Sequence, residues 1–344
     1  PPPPPPLFFP TPPPQPPMLR SLVGSEMCIR DSLSIEGEIA RVRLNRPEAM
    51  NALNVDLVSQ LGETMEEIDS MQDISTVVFE GAGKAFVAGA DVKFFVDKLR
   101  EDSFKEIYEF TSHGHDVLNR IENCDKTTIA LTTGLALGGG LELALSCDYR
   151  IGTRRTQFRF PETSIGIYPG LGGTQRTARI CGVECARYAV LAGNFMDSSV
   201  AIDLGLLTHK VKSSEVESTV ASLVGKKPDQ KYTKKPLNYE SEVVSFASDF
   251  YSDKNIDDLI SGKIPPGYDS EDPVVSRQLK SLSRAAPIAL RIAGDLLSDV
   301  RTGSSLEDGL NLELDRLEEI FSTQDAEEGL SALIEGRRPK YNSC

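Results

Sequence analysis

The chain has 344 residues, of which 40% are hydrophobic and 26% are charged. A chain of this length and composition can bury a sizeable core in one or two globular units, which excludes a wholly disordered protein and a disulfide-stabilised miniprotein. Its formal charge of −14 argues against general binding to nucleic acid or anionic membranes, since both partners are also negative. No apolar stretch approaches the roughly 18 residues of a membrane span, and no export signal is recognisable. We therefore expect a cytoplasmic protein with neither membrane nor nucleic-acid partners.

Residues 1–32 differ in composition from the rest of the chain. Twelve of the first 17 residues are proline, which favours a polyproline II or disordered tail over a packed element. The segment Met27–Asp31 reads Met-Cys-Ile-Arg-Asp and is similar to a translated sequencing adaptor. We interpret residues 1–32 as a non-native or disordered leader, with the native start of the chain lost. A ligand for a proline-recognising module is the alternative interpretation.

Strand and helix signals alternate from Leu33 onwards. The predicted elements are a strand over 38–44, a helix that follows an N-cap at Asn54, a strand over 75–80, a helix over 104–122, a strand over 127–133 and a short apolar helix over 141–147. This alternation predicts an α/β fold, and we assign residues 33–212 to its core.

The composition changes after residue 212. The segment 226–235 contains five lysines and predicts a solvated linker, with a basic binding patch as the alternative. We place this linker, together with extra helices, in a region that spans 213–280. A C-terminal helical region over 281–344 follows, and its clearest feature is an apolar stripe on a helix, formed by Leu306, Leu310, Leu314, Leu317 and Phe321.

The first candidate site is the run of three glycines over 138–140, between a predicted strand and a predicted helix. Glycine allows a ligand to approach the backbone closely, and helix N-termini present unpaired amide groups. The run matches neither a dinucleotide-binding fingerprint nor a phosphate loop. Glu142 follows it in an otherwise apolar helix, and two interpretations are open: a carboxylate favoured by the helix dipole, or an acid/base group whose pKa is raised by apolar surroundings.

Glu162, which follows Pro161 in a loop, is the second candidate acid. Taken alone, its position is more typical of a solvated loop carboxylate. His113 and His115 would diverge on a helix, which predicts no metal site, and no Ser-His or Cys-His set is evident. The six cysteines include no C-x-x-C pair and are expected to be buried thiols. Of the kinds of catalysis considered, the one that remains is acid/base chemistry by carboxylates beside backbone hydrogen-bond donors.

Four segments in chain order closely resemble motifs of the enoyl-CoA hydratase (crotonase) family. They are Asn-Arg-Pro-Glu-Ala-Met-Asn-Ala-Leu-Asn at 45–54, Gly-Lys-Ala-Phe-Val-Ala-Gly-Ala-Asp-Val-Lys at 83–93, Gly-Leu-Ala-Leu-Gly-Gly-Gly-Leu-Glu-Leu-Ala at 134–144, and Phe-Pro-Glu at 160–162 followed by Gly-Leu-Gly-Gly-Thr-Gln-Arg at 170–176. The resemblance runs over about 39–211 and again over about 306–339. It implies a ClpP/crotonase-like spiral of ββα repeats, with a C-terminal helical region that packs between the subunits of a homotrimer or hexamer.

The resemblance also implies roles for individual residues. The backbone N–H groups of Ala90 and Gly139 would form an oxyanion hole for a thioester carbonyl. These two residues, with Asp91, Val92 and Lys93, would bind the acyl-CoA substrate.

The same family carries two acids in members that add water, and both have counterparts here. By resemblance, Glu162 would transfer the proton at the α-carbon of the substrate. Glu142 would orient and activate the attacking water.

The implied activity is the hydration of a short-chain trans-2-enoyl-CoA. It needs no metal or redox cofactor. Coenzyme A is part of the substrate and is not counted as a cofactor. One alternative is a Δ3,Δ2-enoyl-CoA isomerase, although family isomerases usually lack one of the two acids. A second is a non-catalytic, RNA-binding relative of the same fold. The long segment over 214–280 resembles members fused to a 3-hydroxyacyl-CoA dehydrogenase, so a fused or associated dehydrogenase is a further expectation.

Overall fold

The computed structural model describes residues 33–229, 232 and 238–341. The predicted leader over 1–32 lies outside the described residues, as does much of the lysine-rich segment. Within the described part, the chain forms ten strands in two sheets and fifteen α-helices.

The strands belong to one six-stranded and one four-stranded sheet. They are β1 (Leu33–Glu36), β2 (Ile39–Leu44), β3 (Thr76–Gly81), β4 (Ala85–Ala88), β5 (Thr127–Leu131), β6 (Leu135–Leu137), β7 (Tyr149–Gly152), β8 (Gln157–Arg159), β9 (Met196–Asp197) and β10 (His209–Lys210). The larger sheet has the order β1-β2-β3-β5-β7-β10 and the smaller one β4-β6-β8-β9. All pairs are parallel except β1 with β2 and β8 with β9.

The helices follow the strands and end the chain. They are α1 (Val55–Ser70), α2 (Val92–Arg100), α3 (Phe104–Asn123), α4 (Gly139–Ser146), α5 (Gly173–Cys181), α6 (Val183–Val190), α7 (Ser198–Asp203), α8 (Val216–Leu223), α9 (Glu242–Phe250), α10 (Ile256–Ile260), α11 (Pro273–Leu282), α12 (Pro287–Asp299), α13 (Leu306–Asp315), α14 (Leu317–Phe321) and α15 (Gln324–Glu335). Short 3₁₀ turns lie at Pro47–Ala49, Glu162–Ile165, Ser213–Glu215 and Val300–Thr302.

The order of these elements is a repeated ββα unit. The chain runs from β3 to β4 and then α2, from β5 to β6 and then α4, and from β7 to β8 and then α5, with one strand of each pair in each sheet. The predicted spiral of ββα repeats and the predicted helical C-terminal region are thereby confirmed.

Several elements follow directly from local sequence signals. Helix α1 begins after Asn54, whose side chain accepts a hydrogen bond from the Leu57 N–H group at 2.9 Å, as expected for an N-cap. Strand β5 is buried along its whole length, as is typical of a central strand in a covered parallel sheet. Strand β4 and helix α2 were not predicted.

One predicted helix is divided in the structure. The apolar stripe of the C-terminal region spans α13 and α14, which are separated at Arg316. There the Arg316 N–H group donates to the Glu313 carbonyl, an i to i+3 bond that tightens the helix end. Leu310, Leu317 and Phe321 are nevertheless buried, so the stripe packs against the core as predicted.

The main core fills the space between the sheets and the helices. Phe79, Phe86 and Phe158 are among its fully buried side chains. A smaller cluster, which includes Val78 and Ile129, covers the other face of the larger sheet beneath α8. The four described cysteines are buried free thiols: Cys124, Cys147, Cys181 and Cys185. Among the helices of the described residues, none combines the length and apolarity required to cross a membrane.

Candidate active site

A cavity of about 790 Å³ is bordered by the segment after β4, the start of α4, the 3₁₀ turn after β8 and the C-terminal helices. Its apolar walls include Phe95, Phe110 and Phe321. Glu142 and Glu162 are among its polar lining groups. A mostly apolar concavity with a few polar groups is typical of a site for a small molecule.

Two backbone amides flank this cavity. The Leu53 N–H group donates to the Gly89 carbonyl, and the Asp91 N–H group donates to the Leu53 carbonyl. Since neighbouring residues of an extended chain direct their backbone groups to opposite sides, the N–H group of Ala90 points away from Leu53. Gly139 is the first residue of α4, so its amide has no intrahelical acceptor. A Cβ atom built on Gly139 would lie 3.7 Å from the Ala90 nitrogen, which places the two amides side by side.

Each glycine of the run over 138–140 faces a different close contact. Gly138 has a φ of +46°, and a Cβ atom there would lie 2.2 Å from Oε1 of Glu162. A Cβ on Gly139 would lie 3.2 Å from the Leu53 side chain, and one on Gly140 would lie 2.1 Å from the Val87 carbonyl oxygen. The run therefore lets α4 begin directly against β4 and against Glu162.

Glu142 is only 2% exposed and is held by the backbone of another loop. Its Oε1 atom accepts hydrogen bonds from the N–H groups of Leu171 and Gly173, both at 2.7 Å. Burial and the charges of Glu162 and Glu313 raise the pKa of Glu142, while the two N–H donors oppose that rise. Of the two interpretations left open by the sequence, the structure agrees with a buried carboxyl group of raised pKa.

Glu162 begins a 3₁₀ turn and is 7% exposed. Its Oε2 atom is buried and has no hydrogen-bond partner among the described residues. Burial raises its pKa to about 8, against the opposing effects of its own backbone N–H group and of Arg159. The expectation of a solvated loop carboxylate, drawn from the local sequence alone, is wrong, because the turn folds Glu162 inward beneath Gly138.

The two carboxyl groups are electrostatically linked, since the charge of Glu162 raises the pKa of Glu142. Such a pair titrates as a unit, and repulsion disfavours the doubly ionised state. When the proton resides on Glu162, its repulsion of Glu142 is absent, and the two N–H donors then oppose only burial and the charge of Glu313. The arrangement can therefore present one acid and one base to the same cavity.

The segment predicted to bind coenzyme A is only partly within the cavity wall. Ala90 and Val92 line the cavity, whereas Asp91 and Lys93 are absent from its described lining. Asp91 instead lies 3.5 Å from the guanidinium of Arg46, and Lys93 is exposed on α2. The lining also contains four basic side chains that the sequence analysis does not single out: Arg159, Arg284, Arg337 and Arg338.

Glu313 is a further buried acid that the sequence analysis does not identify. It lies on α13 and is fully buried beside the loop that holds Glu142. A sequence signal exists, because Glu313 lies three residues after Leu310 and four before Leu317. A charged residue on the apolar face of a helix is therefore the observation that points to it.

Comparison with known proteins agrees with this geometry. The family model for enoyl-CoA hydratase/isomerase matches residues 39–343. A short-chain-enoyl-CoA hydratase of Clostridium acetobutylicum is 37% identical over 195 residues, which cover 56% of this chain and 73% of that protein. A crotonyl-CoA hydratase of Syntrophomonas wolfei is 35% identical, also over 195 residues, with 56% of this chain and 74% of that protein covered.

Solved structures show the same fold. A carnitinyl-CoA dehydratase from Mycobacterium thermoresistibile superposes with a TM-score of 0.75 at 22% identity and covers 90% of each chain. An enoyl-CoA hydratase from Rhodobacter sphaeroides also gives a TM-score of 0.75, at 23% identity, with 90% of this chain and 91% of that chain covered. The family match, the relatives and the fold together show that this chain is an enzyme of the enoyl-CoA hydratase/isomerase family.

Proposed function

We propose that the protein is a short-chain enoyl-CoA hydratase, which adds water reversibly across the double bond of a trans-2-enoyl-CoA to give a 3-hydroxyacyl-CoA. The observation that carries this proposal is that one cavity is lined by two buried glutamates and by the adjacent residues Ala90 and Gly139. The membership of the family and the names of the relatives agree with it.

The two amides stabilise the negative charge that develops during the reaction. In this proposal the N–H groups of Ala90 and Gly139 donate to the thioester carbonyl oxygen. As water attacks the β-carbon, electron density from the double bond moves onto that oxygen as an enolate. Fixed donors at such a position commonly contribute about 10²- to 10³-fold each in rate, because they need no reorganisation when the charge develops.

The two carboxyl groups provide the proton transfers. Glu142, ionised and held by two N–H donors, accepts a proton from water while the water oxygen bonds to the β-carbon. Glu162, protonated, gives its proton to the α-carbon as the enolate collapses. Both groups act from the same face, so water adds in the syn sense. Each transfer commonly contributes about 10²- to 10⁴-fold.

The reaction is redox-neutral and uses carboxyl groups and amides alone, so the proposal includes neither a metal nor a redox cofactor. Ala90, Asp91, Val92, Lys93 and Gly139 are proposed to bind the acyl-CoA thioester. A cytoplasmic location and a homotrimeric or hexameric assembly are proposed from the family resemblance.

Short-chain substrates are proposed from the relatives and from the cavity. Both relatives described above are named for short-chain or crotonyl substrates. The aromatic side chains of Phe95 and Phe321 stack with ring centroids 5.5 Å apart, and Phe110 packs edge-on against Phe95 at 5.6 Å. Aromatic groups packed in this way form a firm apolar wall, which limits the space for an acyl chain.

The test uses the full-length chain and crotonyl-CoA in water enriched in ¹⁸O. We expect the absorbance of the conjugated thioester to fall and the 3-hydroxybutyryl-CoA product to carry one ¹⁸O atom. An isomerase would instead convert 3-butenoyl-CoA to crotonyl-CoA without incorporating label. Salt-dependent RNA binding without hydration would favour the non-catalytic alternative. Either of these last two results, with no labelled product, would contradict the proposal.

A further inference from the structure

Two buried glutamates share four successive backbone amides. In the four-amide turn, residues 171–174, the first and third N–H groups donate to Oε1 of Glu142, both at 2.7 Å. The second N–H group donates to Oε2 of Glu313 at 2.7 Å, and the fourth donates to Oε1 of Glu313 at 3.2 Å. Neither glutamate alone could satisfy this turn, because each binds only alternate amides.

The remaining contacts of Glu313 also converge on this turn. The Thr174 hydroxyl donates to its Oε1 atom at 2.5 Å. The Tyr168 hydroxyl donates to the Glu313 backbone carbonyl, also at 2.5 Å. Nε2 of His115 lies 3.3 Å from Oε2 of Glu313 and 2.7 Å from the Gly170 carbonyl oxygen, to which it donates. Glu313 thus joins α13 to the loop that holds Glu142.

The carbonyl groups of the same loop are fixed as well. His115 donates to Gly170, and Nη1 of Arg176 donates to the Leu171 carbonyl at 3.1 Å. With its four amides and the Leu171 carbonyl engaged, and with the preceding Gly170 carbonyl bound by His115, the turn is held in one conformation. The position of the Glu142 carboxyl group therefore depends on side chains that do not themselves line the cavity, Glu313 foremost among them.

We propose that Glu313 is a positioning residue for hydration, which fixes the four-amide turn against Glu142 and sets the electrostatic environment of that carboxyl group. This inference rests on the proposed function, because it assigns Glu313 a role through Glu142. Glu313 acts on the reaction through Glu142, by way of the turn and by way of its charge.

The charge of Glu313 has a separate, measurable effect. With burial and Glu162, it raises the pKa of Glu142. The charged and titratable groups that face Glu313 from the surrounding elements are Glu142, His115, Tyr168, Arg176 and Arg179. Arg176 is itself paired with Glu122 at 2.8 Å, so its charge is largely engaged away from Glu313. Loss of the Glu313 charge is therefore expected to lower the pKa of Glu142.

The test is Glu313→Gln, a change that keeps the shape of the side chain but removes its charge and one acceptor. We expect kcat for crotonyl-CoA hydration to fall by about 10- to 100-fold, the range typical of a misplaced reacting group. KM should stay within about threefold of the wild-type value, because Glu313 does not line the cavity. The acid limb of kcat/KM, which reports ionisation of Glu142, should move to lower pH, and the alkaline limb should not move.

Glu307→Gln is the matched control, since it makes the same chemical change on the exposed side of the same helix. It should keep the wild-type kcat and pH profile. A folded Glu313→Gln protein with a wild-type kcat would overturn the proposal. A Glu313→Gln protein with a lower kcat but an unmoved acid limb would also overturn the proposal, because a purely structural role of Glu313 predicts that result.

Thr174→Val provides a second test should Glu313→Gln fail to fold. It removes one hydrogen bond to Glu313 and leaves the charge in place, so we expect a lower kcat and an unchanged acid limb. A folded Thr174→Val protein with wild-type kcat would contradict the role of the turn. A wild-type protein that does not hydrate crotonyl-CoA would overturn the proposed function and, with it, this inference. An active wild type with unaffected variants would overturn the inference alone.

Discussion

The carboxyl group of Glu162 lies directly against Gly138, so closely that a Cβ atom on this glycine would stand 2.2 Å from Oε1. Gly138 also has a φ of +46°, a conformation that L side chains rarely adopt. The glycine that precedes the proposed oxyanion donor Gly139 and the proposed acid Glu162 are thus packed against each other. A side chain added at Gly138 would displace the Glu162 carboxyl group.

Gly138→Ala should therefore damage catalysis beyond its effect on folding. We expect a loss of about 10²-fold in kcat, because the new methyl group displaces the Glu162 carboxyl group. Gly262→Ala is the matched control: Gly262 also has a positive φ, +75°, but a Cβ atom there would meet nothing within 4 Å. Both variants should lose roughly 1–2 kcal/mol of stability to backbone strain. Thermal unfolding and hydration assays separate the two effects, and equal activity of the two variants would refute the packing argument.

Glu162→Gln should abolish proton delivery and leave substrate binding intact. We expect hydration of crotonyl-CoA to fall by about 10²- to 10⁴-fold, because the amide cannot donate a proton to carbon. Calorimetry with butyryl-CoA, which cannot be hydrated, should give an unchanged Kd. The exposed Glu318→Gln variant, on α14, provides a matched control. Wild-type turnover in Glu162→Gln would remove this residue from the mechanism.

Glu142→Gln tests the other half of the pair. The amide oxygen can still accept the two N–H bonds from residues 171 and 173, so the fold should be retained, but the group can no longer accept a proton from water. We expect a loss of about 10²- to 10⁴-fold in kcat. Since the two acids act on the same water, the Glu142→Gln/Glu162→Gln double variant should be little slower than the slower single variant. Additive losses in free energy would indicate that the two residues act independently.

The pH dependence should be the same in the two directions of the reaction. The pKa of Glu162 is raised to about 8, so the group is protonated at neutral pH and loses its proton as the pH rises through that value. Hydration needs protonated Glu162, and its kcat/KM should therefore fall above pH 8. Hydration neither releases nor consumes a proton, so its equilibrium constant does not depend on pH, and kcat/KM for dehydration of 3-hydroxybutyryl-CoA should fall over the same range. A kcat/KM for hydration that stays level or rises through pH 8 would contradict the assignment.

The elements predicted from the sequence are those whose signals are local. The helix after Asn54 depends on a cap three residues away, and the strand over 127–131 on a short apolar and β-branched run. Strand β4 and helix α2 are harder to predict, because only four residues form β4 and its pairing with β6 lies about fifty positions away. The resemblance supplied the spiral arrangement that local signals do not contain.

The site shows the same division. The two cavity glutamates are recognisable from motifs, yet the burial of Glu162 results from its packing against Gly138, and the local sequence alone favours a solvated group. Glu313 contacts the four-amide turn across 139 to 141 positions of the chain. No local pattern encodes such a contact. Only the folded chain shows that the Glu313 carboxylate, which lies within the apolar stripe, is bound by backbone N–H groups of the four-amide turn.

The central claim is that one thioester and one water are held between Ala90, Gly139 and the two cavity glutamates. A crystal structure of the full-length chain with bound acetoacetyl-CoA tests it most directly. We expect the thioester oxygen to lie within about 3.2 Å of the Ala90 and Gly139 nitrogens, with both carboxyl groups facing the reacting carbons. A thioester bound away from these amides, or carboxyl groups turned out of its reach, would contradict the account.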